Sequence, residues 1–286
     1  MMDVLVLAPT PTFPADLGSR KGIVSLHREL KKYARIHYVL YAAEGEWRDG
    51  YDEAALEGMR QQWDTFHLIQ PTRPVHTDAQ GEDHAADEWW DDAIGDYLKW
   101  RFERSQFDAL VVHYTWLSKA LTFAPNSVRK VLYTADRFGG RREMFEARGF
   151  SREFFHMHPQ GEAYAIGRAD TVIAVKDEEK AYFEAICGSE VITVPHHEER
   201  MECRNLEPSK VLRLGVIGGQ NTINRENLIE FLRLAEPIFS RGFSPIKIVV
   251  AGGICEALAS YSNPYLELIG PVEHVEDFYS QVDAVI

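Results

Sequence analysis

The chain of 286 residues is 45% hydrophobic, which is enough apolar sequence to bury the core of one large or two ordinary globular domains. Its 31 Lys and Arg residues against 44 Asp and Glu residues give a formal net charge of −13. This acidic balance argues against a general nucleic-acid-binding protein and against a protein held to anionic lipid by charge.

The N-terminus and the cysteines predict a reduced, cytoplasmic protein. The first ten residues lack the basic segment and long apolar run of a signal peptide, and no stretch has the length of a membrane span. Cys187, Cys203 and Cys255 are odd in number and lack CxxC spacing, which argues against a disulfide framework and against a zinc site. The histidine pairs at positions 156 and 158 and at positions 196 and 197 form no HExxH helix, so we expect no metal ion.

The chain opens with a pattern that predicts strand, loop and helix. Val4 to Leu7 is a short apolar run, and Gly22 to Tyr33 has apolar residues at helical spacing. Ligands of open α/β sheets lie beyond the carboxyl ends of the strands, where a helix N-terminus favours an anion. The alternative is an ordinary surface loop with three prolines. As an anion site, the loop would contribute a close backbone approach, a hydroxyl and two cations, from Gly18, Ser19, Arg20 and Lys21.

Two further strands deliver polar residues to the same sheet edge. Ala109 to Val112 is continuously apolar, as expected of a parallel strand buried on both faces, and Arg129 to Tyr133 follows as another strand. Their carboxyl ends carry His113 and Asp136. Because carboxyl ends of parallel strands meet at one edge, we expect these residues to lie near the opening loop.

The segment Asp136 to Arg142 holds three arginines and two glycines within seven residues. In so acidic a chain, guanidinium groups at the mouth of a sheet indicate an anionic ligand such as a phosphate, which would involve Arg137 and Arg141. A solvated turn that opens a helix from Arg141 to Arg148 explains the segment equally well.

An acidic stretch rich in aromatic residues precedes these strands. Positions 78–96 carry eight acidic residues and no Lys or Arg, with tryptophans among them. The pattern predicts an amphipathic helix over Asp87 to Glu103 with its aromatic side chains packed inward. The alternative is an aromatic platform for an acceptor or a partner surface.

A second α/β half follows. Residues 1–197 form the predicted first domain, the charge-dense residues 198–209 the linker, and residues 210–286 the second domain. This second domain begins with a strand, a loop containing Gly218, Gly219 and Gln220, and a helix from Asn224 to Ser240. Because Ala284 to Ile286 begins a strand without its crossover helix, we expect the second half to be incomplete and the chain to be a fragment.

Several sequence segments, in their order along the chain, resemble those of the GT-B glycosyltransferases, and in particular of their large retaining group called family four. The opening loop from Pro14 to Arg20 resembles the glycine loop of that group. The stretch from Arg168 to Val175, with Glu178 and Glu179, resembles its "alanine-aspartate, then strand" segment. The second half from Val211 to Phe231, and the phrases at 265–272 and 279–286, resemble its donor domain.

This resemblance implies an α/β fold of two Rossmann-like halves and transfer of a sugar from a nucleotide-diphosphate donor to an acceptor hydroxyl. The acceptor would be a glycan, a lipid-linked molecule or a small molecule, in glycan or polysaccharide synthesis. No cofactor is implied beyond the nucleotide-sugar co-substrate, and no metal or nucleic acid. A peripheral membrane contact stays open.

The resemblance also implies roles for particular residues. Asp136 and His113 are the candidates for acceptor contact or proton handling. The phosphate-binding candidates are Gly18, Ser19, Arg20, Arg137 and Arg141 in the first half and Gly218, Gly219 and Gln220 in the second. We expect these two groups to face each other across a cleft.

The sequence departs from the family pattern in three places. The family often has a histidine before the aspartate where this chain has Ala135, which puts catalysis in doubt. The donor loop lacks the usual arginine and lysine pair, offering only Arg225, and the paired glutamates expected to hold the donor would lie beyond Ile286. Two alternatives therefore stay open, a catalytically silent binding module and a GT-B-shaped nucleotide-sugar epimerase.

Overall fold

The computed structural model describes residues 1–15, 18–43, 52–150, 155–197, 211–241 and 245–286. The chain forms two compact units, Met1–Glu198 and Glu199–Ile286. Each unit is an α/β layer structure around its own parallel sheet. The segment expected to be a linker, 198–209, lies outside the described residues.

The first unit contains seven parallel strands, with the first strand near the middle of the sheet. Their bounds are β1 Met2–Ala8, β2 Ala34–Tyr41, β3 Thr65–Ile69, β4 Ala109–His113, β5 Arg129–Tyr133, β6 Thr171–Ala174 and β7 Glu190–Thr193. The order across the sheet is β3-β2-β1-β4-β5-β6-β7.

Helices connect these strands. Their bounds are α1 Gly18–Leu30, α2 Glu53–Gln62, α3 Asp92–Arg104, a 3-10 helix Thr115–Phe123, α4 Arg141–Ala147, α5 Pro159–Ile166 and α6 Asp177–Ile186.

The central strand β1 is buried on both faces, and its side chains alternate between two apolar cores. Leu5 and Leu7 pack into a large core with side chains from α3 and the 3-10 helix. Val4 and Val6 pack into a second core with side chains from α1 and α2. This alternation follows from the period-two geometry of a strand and explains the continuous apolar run in the sequence.

The strand order changes direction between β1 and β4. After β1 the chain adds β2 and β3 on one side and then crosses back to place β4 on the other side of β1. The loops that leave β1 and β4 therefore diverge, which opens a crevice beyond their carboxyl ends. Open α/β sheets bind their ligands in such crevices.

The second unit contains a four-stranded parallel sheet in the order β10-β9-β8-β11. Its elements are β8 Leu212–Ile217, α7 Thr222–Phe239, β9 Ile246–Ala251, α8 Ile254–Ala257, β10 Leu266–Gly270, α9 Val275–Tyr279 and β11 Ala284–Val285. Leu228 and Leu232 of α7 pack against Ile248 and Val250 of β9 to form its core.

Two helix boundaries near the site differ from the sequence-based expectations. The helix predicted from Gly22 begins at Gly18, so Gly18, Ser19 and Arg20 form its first turn. The helix predicted from Asp87 begins at Asp92, because the Asp91 carboxylate accepts the Ala93 N–H as an N-cap.

The helix α5 begins at Pro159, and residues 151–154 lie outside the described residues. Proline favours the first position of a helix and disfavours helical backbone in the residue before it, here His158. The 3-10 helix that follows β4 was not predicted.

Candidate functional site

A cavity of about 450 Å³ lies beyond the carboxyl ends of β1, β4 and β5. Pro9 follows β1, Tyr114 follows β4 and Ala135 follows β5 by two residues, and all three line the cavity. The position is the crevice that the strand order creates. The full lining consists of Pro9, Ser19, Ile23, His76, Trp89, His113, Tyr114, Trp116, Tyr133, Ala135, Asp136, Phe138, Arg141, Phe155 and His196.

The backbone around the cavity adopts unfavourable conformations. His76, Tyr114 and Ala135 have φ values of 61°, 72° and 63°, in the left-handed region that favours glycine. Among the described residues they are the only non-glycine residues with positive φ, and all three line the cavity. Such conformations cost about 1–3 kcal/mol each and cluster at functional sites.

Asp136 presents the exposed carboxylate of the cavity. Its side chain is 53% exposed, whereas the side chain of Arg141, with which it forms an ion pair, is 7% exposed. Asp136 also accepts the backbone N–H of Arg137 at 2.8 Å. The Arg141 guanidinium donates to the Phe155 carbonyl at 3.3 Å and packs against the Phe138 ring. The pair therefore holds the Asp136 carboxylate in one place at the cavity mouth.

Arg137 lies beside this pair but points elsewhere. Its guanidinium donates to the Gly139 carbonyl at 2.9 Å and lies 3.7 Å from the centre of the Tyr182 ring. Arg137 is exposed and is not among the cavity-lining residues.

A buried carboxylate fixes the turn that carries Asp136 and Arg137. Glu162 on α5 accepts the backbone N–H groups of Phe138 and Gly139 at 2.8 and 2.9 Å, and the Tyr182 hydroxyl at 2.9 Å. Burial raises the pKa of the Glu162 carboxyl, and its three hydrogen bonds oppose that rise.

His113 lies at the buried end of the cavity, where it pairs with a second histidine. Its Nε2 atom is 2.7 Å from Nε2 of His27, and both side chains are fully buried. Burial lowers the pKa of His27 to about 3 and the pKa of His113 well below its ordinary value. Two neutral imidazoles can share this hydrogen bond, because one Nε2 donates and the other accepts.

Tyr133 and His196 form another part of the cavity wall. The Tyr133 hydroxyl and His196 Nε2 are 2.8 Å apart. A Cβ on Gly22 of α1 would lie 2.6 Å from His196 Nε2, so glycine allows His196 to approach the helix. Burial raises the pKa of the Tyr133 hydroxyl.

Glu179 is a second buried carboxylate near Asp136. Its Oε1 lies 3.6 Å from the Lys176 ammonium, and its buried Oε2 has no hydrogen-bond partner among the described residues. Burial raises the pKa of Glu179, and the charge of Asp136 adds to that rise. The sequence singled out Glu179 only as part of a family phrase.

The predicted phosphate-binding residues of α1 occupy different environments. Ser19 lines the cavity, while Gly18 is exposed and lies outside its lining. Arg20 is buried, and its guanidinium donates to the Pro14 carbonyl at 3.3 Å.

In the second unit, Gly218, Gly219 and Gln220 form the loop between β8 and α7. Asn221 caps α7 by accepting the Asn224 N–H at 2.8 Å, and Asn224 donates to the Gly219 carbonyl at 3.0 Å. The loop packs closely on Gly252, whose φ is 87° and whose Cβ would lie 2.5 Å from the Gly218 carbonyl oxygen. That the two predicted phosphate-binding groups face each other stays a prediction.

Aromatic side chains line the cavity, and an aromatic acceptor platform was only an alternative interpretation of the sequence. The ring centroids of Trp89 and Trp116 are 5.4 Å apart, and the ring centroid of Trp89 lies 4.7 Å from those of both Phe155 and His76. The sequence signals were the aromatic stretch at 78–96, within which a helix was expected from Asp87, and the aromatic residues that follow Val112. No group of three metal-ligating side chains occurs among the described residues.

Searches with the sequence give no match to a protein-family model or to a curated protein. Within the described ranges, no helix is long and apolar enough to cross a membrane.

Comparison with solved structures identifies the fold. The chain is similar to TarM, with a TM-score of 0.64 at 8% identity over 100% of this chain and 80% of TarM. It is similar to the sucrose-phosphate synthase of Thermosynechococcus elongatus, with a TM-score of 0.59 at 13% identity over 100% of this chain and 75% of the synthase.

The O-GlcNAc transferase of Thermobaculum terrenum matches with a TM-score of 0.53 at 9% identity, over 99% of this chain and 48% of the transferase. At such low identities these likenesses show the fold alone. They confirm that the chain has the α/β architecture of two Rossmann-like parallel sheets found in GT-B glycosyltransferases.

Proposed function

We propose that the chain is a glycosyltransferase, which moves a sugar from a nucleotide-diphosphate donor to an acceptor hydroxyl. The main support is the cavity at the crevice of the first sheet, which combines an exposed carboxylate with a rigid aromatic lining. Fold neighbours named as a sucrose-phosphate synthase and an O-GlcNAc transferase add to this support.

In the proposed reaction, the bond between the anomeric carbon and the diphosphate oxygen breaks, and a bond forms from the acceptor oxygen to that carbon. The acceptor proton passes to a carboxylate or to the departing phosphate oxygen. The protein must position the acceptor and stabilise the leaving diphosphate.

We assign the proton-handling role to Asp136. Its carboxylate is exposed at the cavity mouth and held by Arg141, so it can accept a hydrogen bond from a hydroxyl in the cavity. His113 is a weak base in its buried pair, because burial lowers its pKa well below the ordinary value. We therefore assign His113 a positioning role at the buried end of the cavity.

Ser19, at the first turn of α1, would contact the phosphates together with Gly18, where helix N–H groups favour an anion. Arg137, an exposed residue beside the Asp136–Arg141 pair, and the loop of Gly218, Gly219 and Gln220 in the second unit stay candidate phosphate contacts. No metal ion or cofactor is needed if backbone amides and guanidinium groups take up the phosphate charge. The nucleotide sugar is then the co-substrate.

A screen of nucleotide-diphosphate sugars tests this proposal. The full chain is incubated with UDP-, GDP-, ADP- and dTDP-linked sugars, with and without mixed glycan acceptors, and free nucleoside diphosphate is measured. We expect release that rises when an acceptor is present. Conversion of the donor to its epimer would instead identify an epimerase.

The variant Ala135→His tests the departure from the family pattern. Histidine tolerates positive φ better than most residues, so the substitution suits the backbone at this position. Turnover in this variant alone would identify position 135 as the place where activity was lost. If neither protein turns over a donor while glycan binding is retained, the proposal fails in favour of a binding module.

A further inference from the structure

We infer that the loop between β3 and α3, residues 70–91, forms a second acceptor subsite, so that the acceptor is an uncharged oligosaccharide of at least two sugar units. The inference rests on the proposed function and extends it to a substrate class.

A second cavity of about 360 Å³ adjoins the first one. It lies along the 70–91 loop, and His76 and Trp89 line both cavities. Each cavity has a volume within the range of about 300–1,000 Å³ that is usual for ligand sites. Because the two cavities share these lining residues, they are neighbours, and an elongated ligand that passes over the exposed His76 would reach both.

The wall between the cavities is built from ordered aromatic side chains. Trp89 donates its indole N–H to the Thr77 carbonyl at 3.0 Å, and His84 Nε2 lies 3.0 Å from the same oxygen. His84 Nδ1 lies 3.0 Å from the carbonyl oxygen of His156. Trp89 and His84 are both 5% exposed, so these contacts are protected from water.

The ends of the loop are also fixed to the core. Asp91 is fully buried and accepts from the Tyr41 hydroxyl at 3.0 Å and from the Thr72 N–H and hydroxyl at 2.6 Å. Asp87 forms a two-point ion pair with Arg168, at 2.7 and 2.8 Å. Long loops with their own packing are commonly functional, and this one has the rigidity that a binding wall needs.

The strained residue of the loop lies at the junction. His76 has a φ of 61° and packs its ring 4.7 Å from Trp89 and 6.0 Å from Trp116. His76 is exposed at this junction, so its ring offers a flat surface for the C–H face of a sugar, while the sugar hydroxyls remain free for hydrogen bonds. The backbone strain at His76 is consistent with a functional position rather than a passive loop.

The charge of the second cavity selects against anions. Asp78 and Glu82 are among its lining residues, and none of the described residues lining it is Lys or Arg. The nearby Arg142 is engaged by Asp83 at 3.2 Å and by Glu82 at 3.8 Å, so Asp78 is the less compensated carboxylate. Carboxylates accept hydrogen bonds from sugar hydroxyls and repel phosphates and uronic acids.

Binding of defined oligosaccharides to the full chain tests the inference without requiring turnover. Titration calorimetry would compare neutral gluco-, manno-, galacto- and N-acetylglucosamine oligomers of one to four units. In at least one series we expect affinity to rise at least tenfold from one to two units. A trimer of the same series with a uronic acid as its second unit should bind at least tenfold more weakly than the neutral trimer.

The variant Asp78→Asn should lower the ratio of dimer to monomer affinity about tenfold, since it removes a charged hydrogen-bond acceptor. Asp96→Asn is the matched control, because Asp96 lies on α3 with 78% of its side chain exposed and is not among the lining residues of either cavity. The control should bind like the natural chain.

Equal affinity for monomers and dimers in every series, no binding of any oligomer, or an unchanged ratio in Asp78→Asn would each overturn the subsite. Length-dependent binding without turnover of any nucleotide sugar would contradict the proposed function and leave the subsite standing. Turnover of a donor, together with an oligosaccharide affinity that does not depend on chain length, would support the proposed function and contradict the subsite.

Discussion

The backbone conformation of the single residue Ala135 helps to shape the cavity. It lies between buried Thr134 and exposed Asp136, with a φ of 63° that costs an L-residue free energy. The conformation directs the chain out of β5 so that Asp136 reaches the cavity mouth. The sequence identified this position only by comparison with a family pattern, because an alanine, unlike a glycine, does not indicate a positive φ.

Ala135→Gly should raise the free energy of unfolding by about 1 kcal/mol, because glycine adopts positive φ without strain. Urea denaturation measures the change. The matched control is Ala181→Gly, an exposed position inside α6, where the same substitution should lower stability by about 1 kcal/mol. A lower free energy of unfolding in Ala135→Gly would show that the backbone at Ala135 is not strained.

The buried His27–His113 pair predicts a pH dependence of stability. Both imidazoles are neutral in the folded chain, because their folded pKa values lie below the unfolded value, and both take up protons on unfolding. Their contribution to stability is therefore complete above about pH 6.5 and decreases as the pH falls toward the folded values.

His27→Leu tests this dependence. Between pH 6 and 5, the two histidines should make the free energy of unfolding fall with a slope approaching about 2.7 kcal/mol per pH unit. The variant should lose about half of this slope. The free energy of unfolding of the natural chain and of the variant is measured across this pH range. Carboxyl groups are the same in both proteins, so their contribution cancels in the difference between the two slopes. Equal slopes would show that His27 is already charged in the folded chain.

At the scale of elements, the turn between β5 and α4 is the best-supported part of the site. Glu162 holds its backbone, and a Cβ on Gly139 would lie 2.5 Å from Glu162 Oε2 and would also contact the Tyr182 hydroxyl. The sequence interpreted the glycines only as a loop signal, because α5 and α6 approach this turn through tertiary packing.

Gly139→Ala should destabilise the chain by about 2 kcal/mol, since the methyl group must displace buried hydrogen-bonded atoms. Combining it with Tyr182→Phe should cost less than the sum of the two single changes, which a double-mutant cycle measures. The control Gly161→Ala, a helical position with no neighbouring atom within 4 Å, should be neutral or stabilising. Strict additivity would show that Tyr182 does not limit the space at Gly139.

At the scale of the whole molecule, the apolar runs predicted the sheets well. The continuous run at Ala109 to Val112 became β4, and the apolar start of the chain became β1, because strands buried on both faces leave a clear pattern. That the carboxyl ends of β4 and β5 deliver residues to one cavity was confirmed for His113 and Asp136.

The wall of the site could not be predicted in the same way. Trp89 lies in a turn before α3 rather than in the expected helix, and His196 reaches the cavity only because Gly22 leaves space for it. Such positions depend on contacts between residues distant in the sequence. Periodicity reports local structure and cannot indicate them.

The most direct test of the account is whether the chain attaches a sugar to an acceptor at this cavity. Mass spectrometry would follow an oligosaccharide acceptor incubated with the donor found in the screen. We predict that the acceptor gains the mass of one sugar, that Asp96→Asn does so at the natural rate, and that Asp136→Asn lowers kcat/KM by about 100-fold or more. An acceptor that never gains a sugar, or an undiminished rate in Asp136→Asn, would contradict it.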